Sequence, residues 1–331
     1  MLAEHPRIPA QRVGSAVRRE WGVEVGDARH LGLGAHGWHW LLSADGGPRW
    51  FATLQPVRTA EERRTRIAAL EAAWAVAPRL PFAVPPVRTR DARVAVDLAP
   101  GLLLTLTPYL DGGPMGGGRF EVDAERSQVA RLLGELHRQP RPRPLPRWRP
   151  RIGAPSADAG PGGDDLVRRL DQPEWSGGPW SVPVGRLLAE SAAGLRHCLR
   201  RFALLAAAVN GSPERWVVTH GAPHTGKVMG TPDGLRLLDW GGTALAPRER
   251  DLREVLGEAE GTEPWFAYVE AGGRPEPLSP AAVELFALQW HLARITELAV
   301  RFSRPHEDTA DDRQAFAELE EQLTCLLPRW A

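Results

Sequence analysis

The sequence predicts an α+β chain with a small, mainly β N-terminal lobe over residues 1–107, a hinge at 108–113 and a larger, mainly helical C-terminal lobe over 114–331. Three observations carry this reading. Short runs rich in Val, Leu, Trp and Thr, punctuated by glycine and proline, crowd the first 107 residues. From residue 123 onward, apolar residues recur mostly at helical spacing. The exception is the stretch 215–252, where two strand-like runs flank a polar loop.

The totals bound the function. A chain of 331 residues is long enough for one large domain or two lobes, and 43% hydrophobic with 25% charged residues is ordinary for a globular protein. A net charge of zero gives no global reason to bind nucleic acid or an anionic membrane, and neither is expected as a partner. The opening MLAEHPRIPAQRV lacks a basic-then-apolar signal, and the apolar run at 202–209 is too short to span a bilayer, so the expectation is a cytoplasmic protein. Cys198 and Cys325 make neither a disulfide framework nor a zinc site.

Taken in order, residues 8–26 read as a short helix and its exit, with Val13, Val17 and Trp21 on one face. The run LGLGAHGWHW at 31–40 is a glycine-rich turn between strands, and Gly32, Gly34 and Gly37 suit backbone N–H groups laid against phosphate. A strand follows at 49–54, then a helix at 59–76 opened by Thr59 and Glu62 as a capping box. Strands near 84–97 and 102–107 complete a small sheet, and Pro108-Tyr109-Leu110-Asp111-Gly112-Gly113 reads either as a hinge between the lobes or as an ordinary turn. The helix at 123–138 presents Val129, Leu132, Leu133 and Leu136. Residues 140–151, PRPRPLPRWRPR, favour an extended chain. Their five arginines and Trp148 suit a phosphate, an acidic peptide or RNA, against the commoner case of a solvated charge run. Residues 153–165 read as a loop, and 183–209 as a long helix or helix pair. Ser279-Pro280 starts a helix to about 303 that turns Val283, Phe286, Ala287, Trp290, Ile295, Leu298 and Phe302 inward, and a last helix covers about 310–328.

Within 215–252, strands at 215–219 and 235–240 flank His220-Gly221-Ala222-Pro223-His224-Thr225-Gly226-Lys227 and a Pro-Asp-Gly turn at 232–234, with Asp239 ending the second run. Lys227 is the single lysine among 41 basic residues. The stretch resembles the catalytic segment of the aminoglycoside phosphotransferases and choline kinases, above all the spectinomycin-phosphotransferase branch. That family writes H-G-D-x-x-x-x-N, then a strand ending in Asp-Trp, then Asp-Leu. The match is His220-Gly221, Asp239-Trp240 and Asp251-Leu252, while Ala222 replaces the catalytic carboxylate and Lys227 the metal-binding Asn.

The resemblance implies a bilobal protein-kinase-like fold and ATP or another nucleotide as cofactor. It implies a nucleotide covered by the loop of Gly32, Gly34 and Gly37 and held at the hinge backbone of Tyr109 and Leu110. Thr53 stands at the strand position of the phosphate-gripping lysine. Asp239 is the implied metal ligand, and Asp251 the brace of the loop. Ala222 removes a base whose loss costs about 10²- to 10⁴-fold in rate. His224 is the candidate substitute base, and His220 a brace. A lysine ammonium has only donors and repels a cation, so Lys227 is expected to pair with Asp239, which makes magnesium doubtful.

Three functions follow. The first is a pseudokinase or repurposed kinase fold that binds a small-molecule or peptide substrate, or a partner biosynthetic enzyme, in natural-product biosynthesis. The second is a divergent ATP-dependent hydroxyl kinase of a small molecule or peptide. The third is an elimination or cyclisation enzyme that uses Lys227 in the old cleft.

Overall fold

A computed structural model describes residues 5, 7–33, 37–115, 120, 122–152, 163–171, 174–256 and 261–330. The first elements are α1 (Ala10–Trp21), β1 (Asp27–Leu31), β2 (Trp38–Ala44), β3 (Gly47–Pro56), α2 (Ala60–Val76), β4 (Val96–Ala99) and β5 (Leu102–Pro108). Next come β6 (Gly113–Pro114), α3 (Asp123–His137), α4 (Gly163–Leu170), α5 (Ser181–Glu190) and α6 (Ala192–Asn210). Then follow β7 (Val217–Thr219), β8 (Val228–Thr231), β9 (Gly234–Leu237), β10 (Ala244–Ala246), α7 (Glu249–Leu256), α8 (Glu263–Glu270), α9 (Pro280–Phe302) and α10 (Ala310–Trp330). The α+β class expected from the sequence is the class observed, with the antiparallel sheet first and most of the helix after it.

The chain divides into two compact units, the first holding the described residues up to Trp148 together with Val217–Glu276, the second the remainder. In the first unit, β1–β2–β3–β5–β4 form an antiparallel sheet. Side chains alternate between its faces. One face buries Trp40, Leu42, Ala52, Leu54, Leu104 and Leu106 against Val13, Val17 and Trp21 of α1. The other carries a polar row, because His39 lies opposite Thr53 and Thr53 opposite Thr105 across three strands.

Helix α2 starts where the capping pattern puts it. Thr59 Oγ1 accepts from the Glu62 N–H at 3.1 Å, and Glu62 Oε2 accepts from the Arg58 N–H at 2.6 Å. Such a cap contributes about 1 kcal/mol. Its buried face runs Glu62, Arg66, Ala69, Leu70, Ala73 and Val76.

Several expected elements need correction. The strand near 84–97 shrinks to β4, because Pro85 and Pro86 lack N–H donors and Ala92 turns the chain at φ 60°. The run at 235–240 stops pairing at Leu237, and β8, β10, α7 and α8 were not foreseen. Strand β7 pairs with β10, while β8 and β9 form a hairpin to which β6 adds. The Arg-Pro run is built in: Trp148 N–H donates to Leu245 O at 2.9 Å, Leu245 N–H to Pro146 O at 2.8 Å, and Trp148 is buried.

In the second unit, the helical run at 183–209 resolves into α5 and α6, joined at Ser191. Helix α9 is capped by Ser279, whose Oγ accepts from the Ala282 N–H at 3.4 Å. Its buried stripe is centred on Leu285, Leu288, Leu292, Ile295 and Leu298, so Val283, Ala287 and Trp290 flank the core instead of filling it. Of the expected loop at 153–165, residues 153–162 lie outside the described residues and 163–165 belong to α4. No helix among the described residues is long and apolar enough to cross a membrane.

Candidate functional site

The β8–β9 hairpin sets the site's spacing. Val228 lies opposite Leu237, and the Leu238 N–H donates to Lys227 O at 2.9 Å. Lys227 is therefore across from Leu238, and Asp239 is the next residue along. Asp239 is left-handed, at φ 59° and ψ 67°. Aspartate tolerates that region better than most residues, and departures of this kind gather at functional sites. The result is an ion pair with Lys227 Nζ 2.8 Å from Asp239 Oδ2, the two side chains 18% and 39% exposed, so solvent reaches it. Burial pushes the Asp239 carboxyl up, but the Lys227 charge and hydrogen bond, with Arg66 and His220, hold it well below the usual carboxylate range.

The loop before Lys227 is fastened from beneath. Gly221 is left-handed at φ 107°, and a Cβ there would meet the Arg250 guanidinium at 2.6 Å and Gly242 O at 2.8 Å, so the position requires glycine. Asp251, fully buried, accepts from the His220 and Gly221 N–H groups, each at 2.7 Å. His137 Nε2 donates to the same carboxylate at 3.2 Å, and the Tyr268 hydroxyl donates to His137 Nδ1 at 3.0 Å. Burial would raise the Asp251 carboxyl, and His137, with His220 and Arg250, brings it below its ordinary value. Arg250 ties the same corner, donating to Thr219 Oγ1 at 3.0 Å and Gly242 O at 2.9 Å.

The two candidate histidines are engaged locally. His220 Nε2–H donates to Leu238 O at 2.8 Å, and its ring meets Trp240 edge-on. Burial and the nearby Lys227 charge pull its pKa down to about 4, which keeps it neutral at pH 7. His224 Nδ1 accepts from the Gly226 N–H at 3.2 Å and caps the 3-10 turn Thr225–Lys227. Ala222 brings no polar side-chain atom to the loop.

The remaining predicted positions lie in the same unit. Thr53 Oγ1 is 3.2 Å from His39 Nδ1, and burial pulls the His39 pKa down to about 4. The Tyr109 N–H is committed to Arg49 O at 3.0 Å, its side chain is exposed, and Leu110 is half-buried. Gly37 is buried and Gly32 exposed, while Gly34 lies outside the described residues.

One contributor was missed in the sequence. Arg66, on the buried face of α2, is 1% exposed and donates from Nη1 to Gln55 Oε1 at 2.8 Å. A Cβ on Gly241 would lie 2.5 Å from that same Nη1. The signal was its place four residues before Leu70 and seven before Ala73, on the helix's apolar stripe.

A kinase-like fold implies magnesium, and the residues present do not fit it. Among the described residues no three His, Cys, Asp or Glu side chains gather as a metal cluster. The ammonium beside Asp239 can only donate. Lys227 and Arg66 both act as positive charges on the Asp239 carboxyl. A positive charge held against the carboxylate that would ligate it opposes a divalent cation there.

Comparison with known proteins agrees with this architecture. No protein-family model matches the sequence. Protein StrN of Streptomyces griseus is 37% identical over 118 residues, spanning 35% of this chain and only 30% of the length of that relative. Spectinomycin phosphotransferase APH(9)-Ia, solved in complex with ADP and spectinomycin, superposes with a TM-score of 0.68 at 15% identity, over 95% of this chain and 94% of that one. Choline kinase LicA from Streptococcus pneumoniae superposes at 0.52 with 10% identity, over 95% and 98%. The chain thus has the kinase-like fold of the aminoglycoside phosphotransferases and choline kinases.

Proposed function

We propose that this chain is a repurposed kinase fold, a pseudokinase that binds a phosphate-bearing ligand such as a nucleotide without magnesium and does not run conventional phosphoryl transfer. The observation that carries the reading is the Lys227–Asp239 pair at 2.8 Å, at the two positions where the resemblance places a metal-binding Asn and Asp. Metal ions normally neutralise the charge that develops in phosphoryl transfer. Here a fixed ammonium takes that place, and Ala222 offers no carboxylate to orient a hydroxyl. The engagement of His224 in its own turn supports binding without turnover over a kinase with a substitute base.

The second ligand belongs to the chemistry of the relatives. A protein of this fold solved with ADP and spectinomycin supports a small molecule as the second bound ligand. A thermal-shift titration with ATP, run with EDTA and with magnesium, tests the reading. The expected result is stabilisation by ATP that is undiminished in EDTA and reduced or unchanged by magnesium. Stabilisation that requires magnesium, with ATP turnover, would overturn it.

A further inference from the structure

We infer that Arg250 forms an oxyanion-binding fork beside Gly221, and that this fork takes a carboxylate or phosphate group of a small-molecule ligand. The inference goes beyond the reading above and stands apart from it, because it requires neither a nucleotide nor the Lys227–Asp239 pair.

The guanidinium is held at one nitrogen and open at the others. Nη1 donates to Thr219 Oγ1 at 3.0 Å and to Gly242 O at 2.9 Å, two neutral acceptors that use both of its protons. Nε and Nη2 have no acceptor among the described residues. Arg250 is half-buried and neither of those atoms is enclosed, so that edge meets solvent. Two glycines keep side chains away from it. A Cβ on Gly221 would lie 2.6 Å from Nη2 and 2.8 Å from Cζ, and one on Gly242 would lie 3.8 Å from Nη2. A guanidinium fixed in this way presents parallel N–H groups that match two oxygens of a carboxylate or phosphate.

The nearby carboxylates are engaged elsewhere. Burial lowers the Arg250 pKa and the Asp251 charge opposes that fall, but the Asp251 oxygens go to other donors. Its Oδ1 accepts from the Gly221 N–H, and its Oδ2 from the His220 N–H and His137. Glu249 is buried and pairs with Arg248 at 3.8 Å. The loop itself, from Thr219 to Lys227, holds no Asp or Glu, because alanine stands at 222. An incoming oxyanion therefore meets fixed donors, and no acidic side chain of that loop repels it.

The test is a nuclear magnetic resonance titration of the nitrogen-15-labelled full chain in EDTA, with inorganic phosphate and separately with acetate. The Gly221 and Gly242 amide signals and the Arg250 Nε–H signal should move together and saturate, and the arm that saturates names the oxyanion. Arg250→Gln should weaken binding about tenfold or more. Ala222→Asp leaves Arg250 and its anchors in place and should weaken binding about threefold or more by repulsion, which decides the question if Arg250→Gln does not fold. Glu254 stands one turn further along α7, and Glu254→Gln should leave binding within about twofold. Binding that emerges only in Glu254→Gln would mean that the chain fills its own fork, and it overturns the inference. So does the absence of saturable shifts with both anions, or shifts that persist unchanged in folded Arg250→Gln or Ala222→Asp; stabilisation by ATP in EDTA is untouched by any of these. Failure of ATP to bind, with the phosphate or acetate shifts intact, overturns the nucleotide reading and leaves the fork standing.

Discussion

Asp239 and Asp251 serve the same loop in opposite ways. Asp251 is fully buried and spends both oxygens on backbone N–H groups of His220 and Gly221, with His137 and Tyr268 stacked behind it. Asp239 is 39% exposed and pairs with the Lys227 ammonium at 2.8 Å. The first carboxylate fixes where the chain goes, and the second fixes what the chain offers to solvent. The difference separates a carboxylate that braces backbone from one that meets solvent. The brace Asp251 fits the pattern that the resemblance implies, while Ala222 and Lys227 depart from it.

The comparison breaks most decisively at Asp251. Asp251→Ala leaves two buried backbone donors and His137 without their acceptor, and should cost about 3–5 kcal/mol in urea unfolding, or abolish folding. A loss below about 1 kcal/mol would mean that the brace is not structural.

Acid sharpens the contrast at the next level. The folded-state pKa of His220 is pulled down to about 4, against an ordinary 6.5. Below pH 6.5 the unfolded chain takes up a proton that the folded chain refuses, so this contribution is whole above 6.5 and is lost as pH falls toward 4. A shift of that size corresponds to about 3 kcal/mol. Half-buried His39 adds to the same slope. The depressed carboxylates act in a separate window, keeping their stabilisation above about pH 4 and losing it only below. Urea midpoints measured between pH 7.5 and 4.5 should therefore fall steeply, and His220→Gln should flatten the curve. An unchanged curve in that variant would remove His220 from the account.

The smallest effect belongs to the open pair. A double-mutant cycle with Lys227→Met and Asp239→Asn should give a coupling of about 1 kcal/mol or less, as for other solvent-reached ion pairs. A coupling as large as the loss at Asp251 would show that the two carboxylates do the same job.

Much of this was legible in the sequence because it depends on local rules. Thr59 and Glu62 announce the start of α2, Ser279 and Pro280 that of α9, and the Pro-Asp turn sets the hairpin from which Lys227 and Asp239 emerge as neighbours. What stayed hidden depends on long-range partners. Arg66 is one of several arginines in α2, and only its packing on Gly241 and Gln55 separates it from Arg63 or Arg64 at the surface. Strand β8 was obscured by Met229-Gly230 and exists because β9 and β6 pair with both its edges. The Arg-Pro run has the composition of a solvated charge run, yet Leu245 of β10 accepts from the Trp148 N–H and donates to Pro146 O.

The β8–β9 register has one more implication, for heredity. Because both charges ride on a single hairpin, exchanging the residue at 227 alters the chemistry while leaving the spacing untouched. A lysine codon becomes an asparagine codon by changing its third base, and an alanine codon can become an aspartate codon by changing its second. Where the Ala222 codon ends in a pyrimidine, two point mutations, Ala222→Asp and Lys227→Asn, therefore give the pattern the resemblance implies, and a population selected for metal-dependent turnover would be expected to find them.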